Sequence, residues 1–500
     1  MNYLIGIDLG TQSTKAGLVS ENGQFVCEAA AASNLIYPEA GAVEQDPEEM
    51  LASVILTIKE VLAQSKIAPG DVAGIGIDGQ MAGIMGVGKD GLAAIPYDSW
   101  LDTRCGKSRK AFLDFGEERT IALTGAPVTY AHGPKILWWK QERPEAYRKI
   151  YKFVQPGSYC AMRLCGLSGD EAFIDHTYLH FSGFADTARK CWSEELIEGL
   201  ELDGNKLPAI TTPWAKIGGL TAEMAEATGL FAGTPVVAGC GDTAATSFGA
   251  GIVRSGLLFD VAGTASILSG AVGVFAPDIK NKTILFAPSV VPGLYTPMAY
   301  INGGGMCLNW FRDDVLGGKY SFDELNVLAA DALPGSKNLI FLPHFSGRVC
   351  PNDTLVRGSF LNLSWEVGAP EMYRSILEGI SYEYGLYLDI IRKLVPDQTY
   401  EKVVSIGGGS KNQTLAQIKA DVLGIPISKG DQADTAMIGC CSIAGYGVGL
   451  FDDLTKLVMG TEGEMTAPDP SLYEFYGKRK AIYADVFDAL HGVYRDLLLL

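Results

Sequence analysis

Asp8 closes the apolar run YLIGID, and Gly10, Thr11, Gln12, Ser13, Thr14 and Lys15 follow within seven residues. A tight turn of Gly, Thr and Ser presents backbone N–H groups and hydroxyls together, the donor set that a chain of phosphates requires. A carboxylate beside it suits Mg²⁺, held directly or through water, and Lys15 can act as a point charge on a phosphate. An ordinary β-hairpin with a polar turn accounts for these residues equally well. The balance moves because the pattern recurs: LLFDVAGTASILSG carries Asp260, Gly263 and Thr264, and aligning Asp8 with Asp260 sets GTQS opposite GTAS with one extra residue in the second copy. Two such turns make a clamp.

A third glycine turn lies late in the chain, in EKVVSIGGGSKNQTLAQIKADVLGIPI. Gly408 and Gly409 let the backbone lie flat against a ligand, with Asn412 reaching across to an adenine or ribose; a tight strand-to-helix connection is the plainer reading. The small-residue segment ADTAMIGCCSIAGYGVG downstream is expected to be a helix packed against that same turn. Asp242, in TPVVAGCGDTAATSFGAG, falls at or near a helix N-terminus. There a carboxylate serves either as a plain cap or as a general base for a hydroxyl nucleophile. Gln80 and Met81 stand in DGQMAG. Trp100, Asp102 and Arg104 alternate in YDSWLDTR, so on a strand they would share one face. A ring with an acid and a guanidinium fits a polyol; a surface strand with an ion pair is the alternative.

The elements that must hold these residues alternate between β and α. YLIGID and KAGLVS read as a hairpin, ENGQFV as a turn into a third strand, and DPEEMLASVILTIKEVLAQ as a helix with an Asp cap and Pro in its first turn. VAGIGIDG reads as a further buried strand. This is a layered α/β pattern. Its repetition predicts a duplicated domain, 1–250 and 251–500, with the boundary near Gly249–Ser255 and the halves meeting across a cleft. Residues from Thr124 to Gly219 give no clear element pattern, and the tail reads as a short helical stretch.

Composition narrows the function classes. A chain of 500 residues exceeds one ordinary core. A formal net charge of −18 argues against nucleic-acid binding by phosphate neutralisation. The 10 cysteines form no C-x-x-C pair, so neither a disulfide framework nor a zinc site is expected. The N-terminus lacks a signal-peptide pattern, and no apolar run is long enough to span a bilayer. These features predict a cytoplasmic protein without a membrane partner. G-x-x-x-x-G-K-[ST] is absent, which excludes a P-loop, and no G-x-G-x-x-G follows the first strand, which speaks against a nicotinamide-dependent oxidoreductase.

Taken together, IGIDLGTQSTKAG, WLDTR, GPKILWWKQERPEAY, FVQPGSYCAMRLCG, AGCGDTAATSFGAG, FSGRVCPNDTLVRGSFLNLS and GGGSKNQTLAQIKADVLGIPI resemble, in order and spacing, the FGGY carbohydrate kinases. These belong to the actin/Hsp70/hexokinase superfamily. The resemblance runs from Tyr3 to about Leu450. It implies two actin-like, ribonuclease H-like domains, with sugar and the first phosphate turn in the N-terminal one and nucleotide in the C-terminal one. It implies ATP and Mg²⁺, a small sugar or polyol as acceptor, and phosphorylation of a terminal hydroxyl, with a xylulose-like ketopentose as the nearest substrate. By similarity Asp242 is the general base. Asp8 and Asp242 lie on the metal side. Gly10, Thr11, Gln12, Ser13, Lys15, Gly263, Thr264, Asn309, Gly408, Gly409 and Asn412 contact the nucleotide. Gln80, Met81, Trp100, Asp102, Arg104 and Asp242 line the sugar site. A homodimer is a further expectation. The chain departs from the xylulokinase pattern at Met81-Ala82, where Met-His is common, and at Gly347-Arg348-Val349, where many members have Gly-Glu-Arg. Another ketose or polyol therefore stays open as the acceptor. So does a non-catalytic nucleotide-switched protein of the same fold, against which the intact Asp242 and WLDTR speak.

Overall fold

The computed structural model describes residues 1–430, 435–458 and 463–498. They form two compact units. The first comprises Met1–Val253, Phe286–Tyr295 and 435–458; the second comprises Arg254–Leu285, 296–430 and 463–498.

In the first unit the opening hairpin, Tyr3–Leu9 with Ser13–Ser20, continues antiparallel into Phe25–Ala32. Tyr3–Leu9 also pairs in parallel with Val72–Gly79. The sheet extends from there through Pro235–Val237 to Lys216–Gly219, and Cys240–Gly241 adds to the end of Val72–Gly79. One face is covered by the helix Pro47–Ser65, whose start follows from local chemistry. Asp46 accepts from Glu48 N, and Pro47 occupies the first turn, where its missing N–H costs nothing. Met50, Leu51, Val54, Ile58 and Val61 form its buried stripe, each contributing about 1.5–3 kcal/mol when fully buried.

The opposite arrangement, backbone against backbone, is made by the helix Thr435–Gly447. It packs on Tyr3–Leu9, Val72–Gly79 and the helix Asp242–Gly249. A Cβ added at Gly6 would lie 2.1 Å from the Met437 carbonyl, and one at Gly76 would lie 2.4 Å from that of Cys440. This corrects the expectation that the small-residue helix serves the late glycine turn. Its small residues admit it to the first unit's sheet, 350 residues or more away in sequence from the strands it covers.

The segment that lacked a readable pattern contains the helices His132–Glu142, Pro144–Lys149 and Pro156–Cys165. Its core includes Phe112, Trp138, Trp139 and Phe153.

The second unit repeats the plan. Leu257–Ala262 pairs antiparallel with Ser266–Gly270, which pairs antiparallel with Tyr295–Ile301. Leu257–Ala262 pairs in parallel with Lys402–Ile406, and that strand in parallel with Ile427–Lys429. A hairpin, a third antiparallel strand and a returning parallel strand thus occur in both units. This is the duplicated α/β architecture that the two Asp-Gly-Thr-Ser segments predict. The helix Ala369–Leu394 is buried along most of its length. The tail is a 29-residue helix, Pro470–Leu498, over the stretch expected to be helical.

Candidate active site

The parallel pairing in the first unit aligns two identical tetrapeptides. Ile5-Gly6-Ile7-Asp8 stands against Ile75-Gly76-Ile77-Asp78 residue for residue. The same register places Cys240 opposite Asp78 and Gly241 opposite Gly79. Asp8 and Asp78 therefore stand one residue before the ends of adjacent strands, and Asp242 follows directly on the third, as the first residue of the helix Asp242–Gly249. Carboxyl ends of parallel strands are where open α/β sheets bind ligands.

Gly241 rather than Asp242 is the N-cap. The Asp242 carboxylate instead accepts from Thr243 N at 2.5 Å and from Thr243 Oγ1 at 3.1 Å. Burial, then the nearby Asp8 carboxylate, pushes its pKa up to about 7. Asp78 is fully buried and is raised well above the carboxylate range by burial, by Asp8 and by Asp242. The Cys440 thiol donates to its Oδ2 at 3.3 Å, while Oδ1 is a buried oxygen without a hydrogen bond. Lys15 stands opposite Asp8 across the hairpin, on the same face.

Among the described residues no three His, Cys, Asp or Glu form a metal-binding group by themselves. The donor set nevertheless fits Mg²⁺, which takes one or two carboxylates and completes its shell from phosphate and water.

Other predicted residues surround this edge. Met81 packs on Gly241, where an added Cβ would lie 2.8 Å from its thioether. Gln80 is buried and its amide is committed: Nε2 donates to the Gly10 carbonyl at 3.2 Å and to Gln45 Oε1 at 2.8 Å, and Oε1 accepts from Thr11 Oγ1 at 3.0 Å. Ala82 adopts φ +60°, the left-handed region. Trp100, Asp102 and Arg104 are not on a strand. They lie in a turn running into a short 3₁₀ segment, Arg104–Ser108. Their alternation therefore does not put them on one face. Trp100 keeps 46% of its surface exposed, whereas Asp102 is buried. The Arg104 guanidinium donates to Asp102 at 2.8 Å and Asp98 at 2.6 Å, pairs with Glu44 at 2.7 Å, and stacks on Trp138. Lys135, also buried, donates to the Asp102 carbonyl at 2.8 Å. Asp102 and Arg104 thus brace the loop that presents the Trp100 ring.

The second unit holds a cavity of about 520 Å³, the size of a typical small-molecule site. Gly263, Thr264, Asn309, Gly408, Gly409 and Asn412, chosen from three separate motifs, all line it. Leu308, Phe322, Tyr373 and Leu415 supply apolar wall. Asn412 caps the helix Gln413–Leu423 through Oδ1, which accepts from Leu415 N at 3.0 Å. This fixes the orientation of its amide, whose Nδ2 donates to Asn326 Oδ1 at 2.7 Å. Gly407, at φ +87°, turns the chain into this site.

The two aligned aspartates meet different fates. Asp260 is buried and neutralised: Lys419 Nζ lies 2.6 Å from it, and Tyr384 OH and Ser405 Oγ donate to it at 2.7 and 2.6 Å. Asp8 instead faces two other carboxylates. Duplication preserved the hairpin, while the surroundings of its aspartate differ between the two copies.

Sequence reasoning missed Asp78, Gln45 and Asn326. The repeated IGID was a usable signal for Asp78. Gln45 and Asn326 sit outside any motif.

Carboxylates gathered at one sheet edge and a nucleotide-sized cavity on a duplicated actin-like plan define a phosphotransferase acting on an alcohol. The N-terminal domain model of the FGGY family of carbohydrate kinases matches residues 3–249 and the C-terminal domain model matches residues 269–448. The chain belongs to that family. It is 29% identical to a xylulose kinase of Lactococcus lactis over 514 aligned residues, covering 99% of this chain and 97% of the relative. Two solved structures from Lactobacillus acidophilus, a ligand-bound xylulose kinase and a gluconate kinase, each match with a TM-score of 0.91 and 25% identity. Both matches cover 99% of this chain, with 100% and 99% of the respective structures.

Proposed function

We propose that this kinase transfers the terminal phosphate of ATP to a terminal hydroxyl of a small ketose of the xylulose class, with Asp242 as general base. The observation that carries the reading is Asp242 itself, a carboxylate with a pKa pushed up to about 7 at the sheet edge beside Asp8. A base poised near neutral pH accepts a hydroxyl proton efficiently. As the acceptor oxygen attacks the terminal phosphorus, its proton passes to Asp242 and ADP leaves.

The first unit supplies the acceptor site and the first phosphate turn. Gly10, Thr11, Gln12 and Ser13 hold phosphate oxygens, with Lys15 as a nearby positive charge. The exposed Trp100 ring receives the sugar face, and Met81 forms apolar floor. Asp8, with Asp242 beside it, would hold Mg²⁺, which when bound neutralises charge on the phosphates. The second unit supplies the nucleotide site: Gly263 and Thr264 for phosphate, Gly408, Gly409, Asn412 and Asn309 for adenosine. Full-length similarity to a xylulose kinase supports the ketopentose; similarity to a gluconate kinase keeps sugar acids in the test panel. The test is ATP consumption against ketoses, polyols and sugar acids. A sugar-dependent rate with D-xylulose supports the reading. Slow hydrolysis indifferent to every acceptor refutes it.

A further inference from the structure

We propose that Gln45 is a positioning residue that ties the acceptor-facing Trp100 ring to the main chain of the first phosphate turn. The proposal rests on the kinase reading above. Gln45 ends a two-residue strand, Glu44–Gln45, paired with Tyr97–Asp98. Successive strand residues point to opposite sides. Glu44 accordingly turns to Arg104, and Gln45 turns to the turn after Tyr3–Leu9.

Gln45 is 2% exposed. Its Nε2 donates to the Thr11 carbonyl at 3.3 Å and its Oε1 accepts from Gln80 Nε2 at 2.8 Å. Gln80 in turn donates to the Gly10 carbonyl and accepts from the Thr11 hydroxyl. With its proton given to Gln80, the Thr11 hydroxyl accepts from the Trp100 indole Nε1–H at 2.8 Å. The chain of bonds has one direction only, because the Trp100 indole is solely a donor. Trp100 fixes the Thr11 hydroxyl, Thr11 fixes the flip of Gln80, and Gln80 fixes the flip of Gln45. Both glutamines end on the carbonyls of Gly10 and Thr11.

Two consequences follow. The Thr11 hydroxyl is occupied within the network and the Gly10 N–H donates to the Ser13 carbonyl at 3.1 Å, so this turn would offer phosphate its other main-chain N–H groups rather than that hydroxyl. A sugar settling on the exposed Trp100 ring presses on a group bonded directly to the phosphate turn. Gln45 therefore holds the turn in the geometry that the acceptor reads, without touching either substrate.

The test uses the full-length protein with D-xylulose and ATP. Gln45→Leu removes both amide bonds, and two ordinary hydrogen bonds correspond to about a tenfold change. The acceptor-dependent kcat should fall about tenfold, with KM values for D-xylulose and ATP moving less than about threefold. Hydrolysis without D-xylulose should fall less than the D-xylulose-dependent turnover, so the sugar-stimulated ratio falls. The indole N–H resonance of Trp100, assigned by its loss in Trp100→Phe, should move in Gln45→Leu. The double variant should be no worse than the poorer single variant. A kcat within twofold of wild type, effects that multiply in the double variant, or an unmoved Trp100 resonance overturns the proposal. Should Gln45→Leu fail to fold, Gln45→Glu keeps the acceptor to Gln80, loses the donor to Thr11, and is read the same way. If wild type shows no D-xylulose-dependent turnover while the resonance moves, the acceptor reading fails and the coupling claim with it. Normal wild-type turnover with an unmoved resonance overturns Gln45 alone.

Discussion

Replacing Asp242 by Asn separates its chemical role from a structural one, because the two move in opposite directions. General-base assistance is worth about 10²–10⁴ in rate, so kcat should fall by that factor, an increase in barrier of about 3–5 kcal/mol. Stability should rise. A carboxyl whose ordinary pKa is 3.8 and whose folded value is about 7 binds its proton more tightly folded than unfolded. Folding is then progressively penalised as pH climbs from about 4 to 7, and the full cost persists above 7. That cost is at most about 4 kcal/mol. Water reaching the partly exposed carboxylate reduces it to roughly 1–2 kcal/mol. Asn keeps the acceptor for Thr243 and carries no charge. At pH 8 the variant should melt about 2–4 °C above wild type, and at pH 5 the gain should shrink. Turnover by a coupled ADP assay and melting by calorimetry at both pH values decide the matter. Near-normal turnover, or a variant less stable than wild type at pH 8, refutes the reasoning. In wild type, kcat/KM should rise with pH up to a midpoint no higher than about 7.

Asn412→Ala removes the cap of Gln413–Leu423 and the donor to Asn326. It should cost about 1 kcal/mol of stability and raise the KM for ATP roughly tenfold with little change in the KM for sugar, read by steady-state kinetics. Glu383 is buried and held well below the usual carboxylate range, against its own burial, by Arg348, His344 and Tyr483. Its lowered pKa means that its stabilisation is present above about pH 4.5 and is lost as pH falls below. Glu383→Gln should cost about 3–5 kcal/mol at pH 7 by leaving Arg348 unpaired, and the deficit should narrow in acid melts. Ala82→Gly relieves a left-handed alanine and should stabilise by about 1 kcal/mol or less, visible as a small rise in melting temperature.

Much of the candidate site was legible because the turns proposed to hold phosphate and adenosine are short and local. Gly10 to Ser13, Gly263-Thr264 and Gly408-Gly409 each announce themselves within a few residues, since a donor-rich turn needs glycine and hydroxyls side by side. The helix starting at Pro47 was legible for the same reason: its cap and apolar spacing are local. Trp100, Asp102 and Arg104 were found as residues but misread as a strand. Alternation does not distinguish an extended segment from a braced turn, and what braces this one, Glu44, Asp98 and Lys135, comes from three other stretches of chain.

The sequence by itself determined the family, the duplicated hairpin and the candidate base, because these depend on residues adjacent in the chain. The tertiary structure alone decided what surrounds each of the two aligned aspartates. Lys419 reaches Asp260 from 159 residues away and neutralises it, while parallel pairing over 70 residues brings Asp78 against Asp8. It also decided that the helix Thr435–Gly447 belongs to the first unit, through close backbone contacts at Gly6 and Gly76 among others. Charge compensation and close backbone approach depend on distance in space, and no spacing along the chain encodes either.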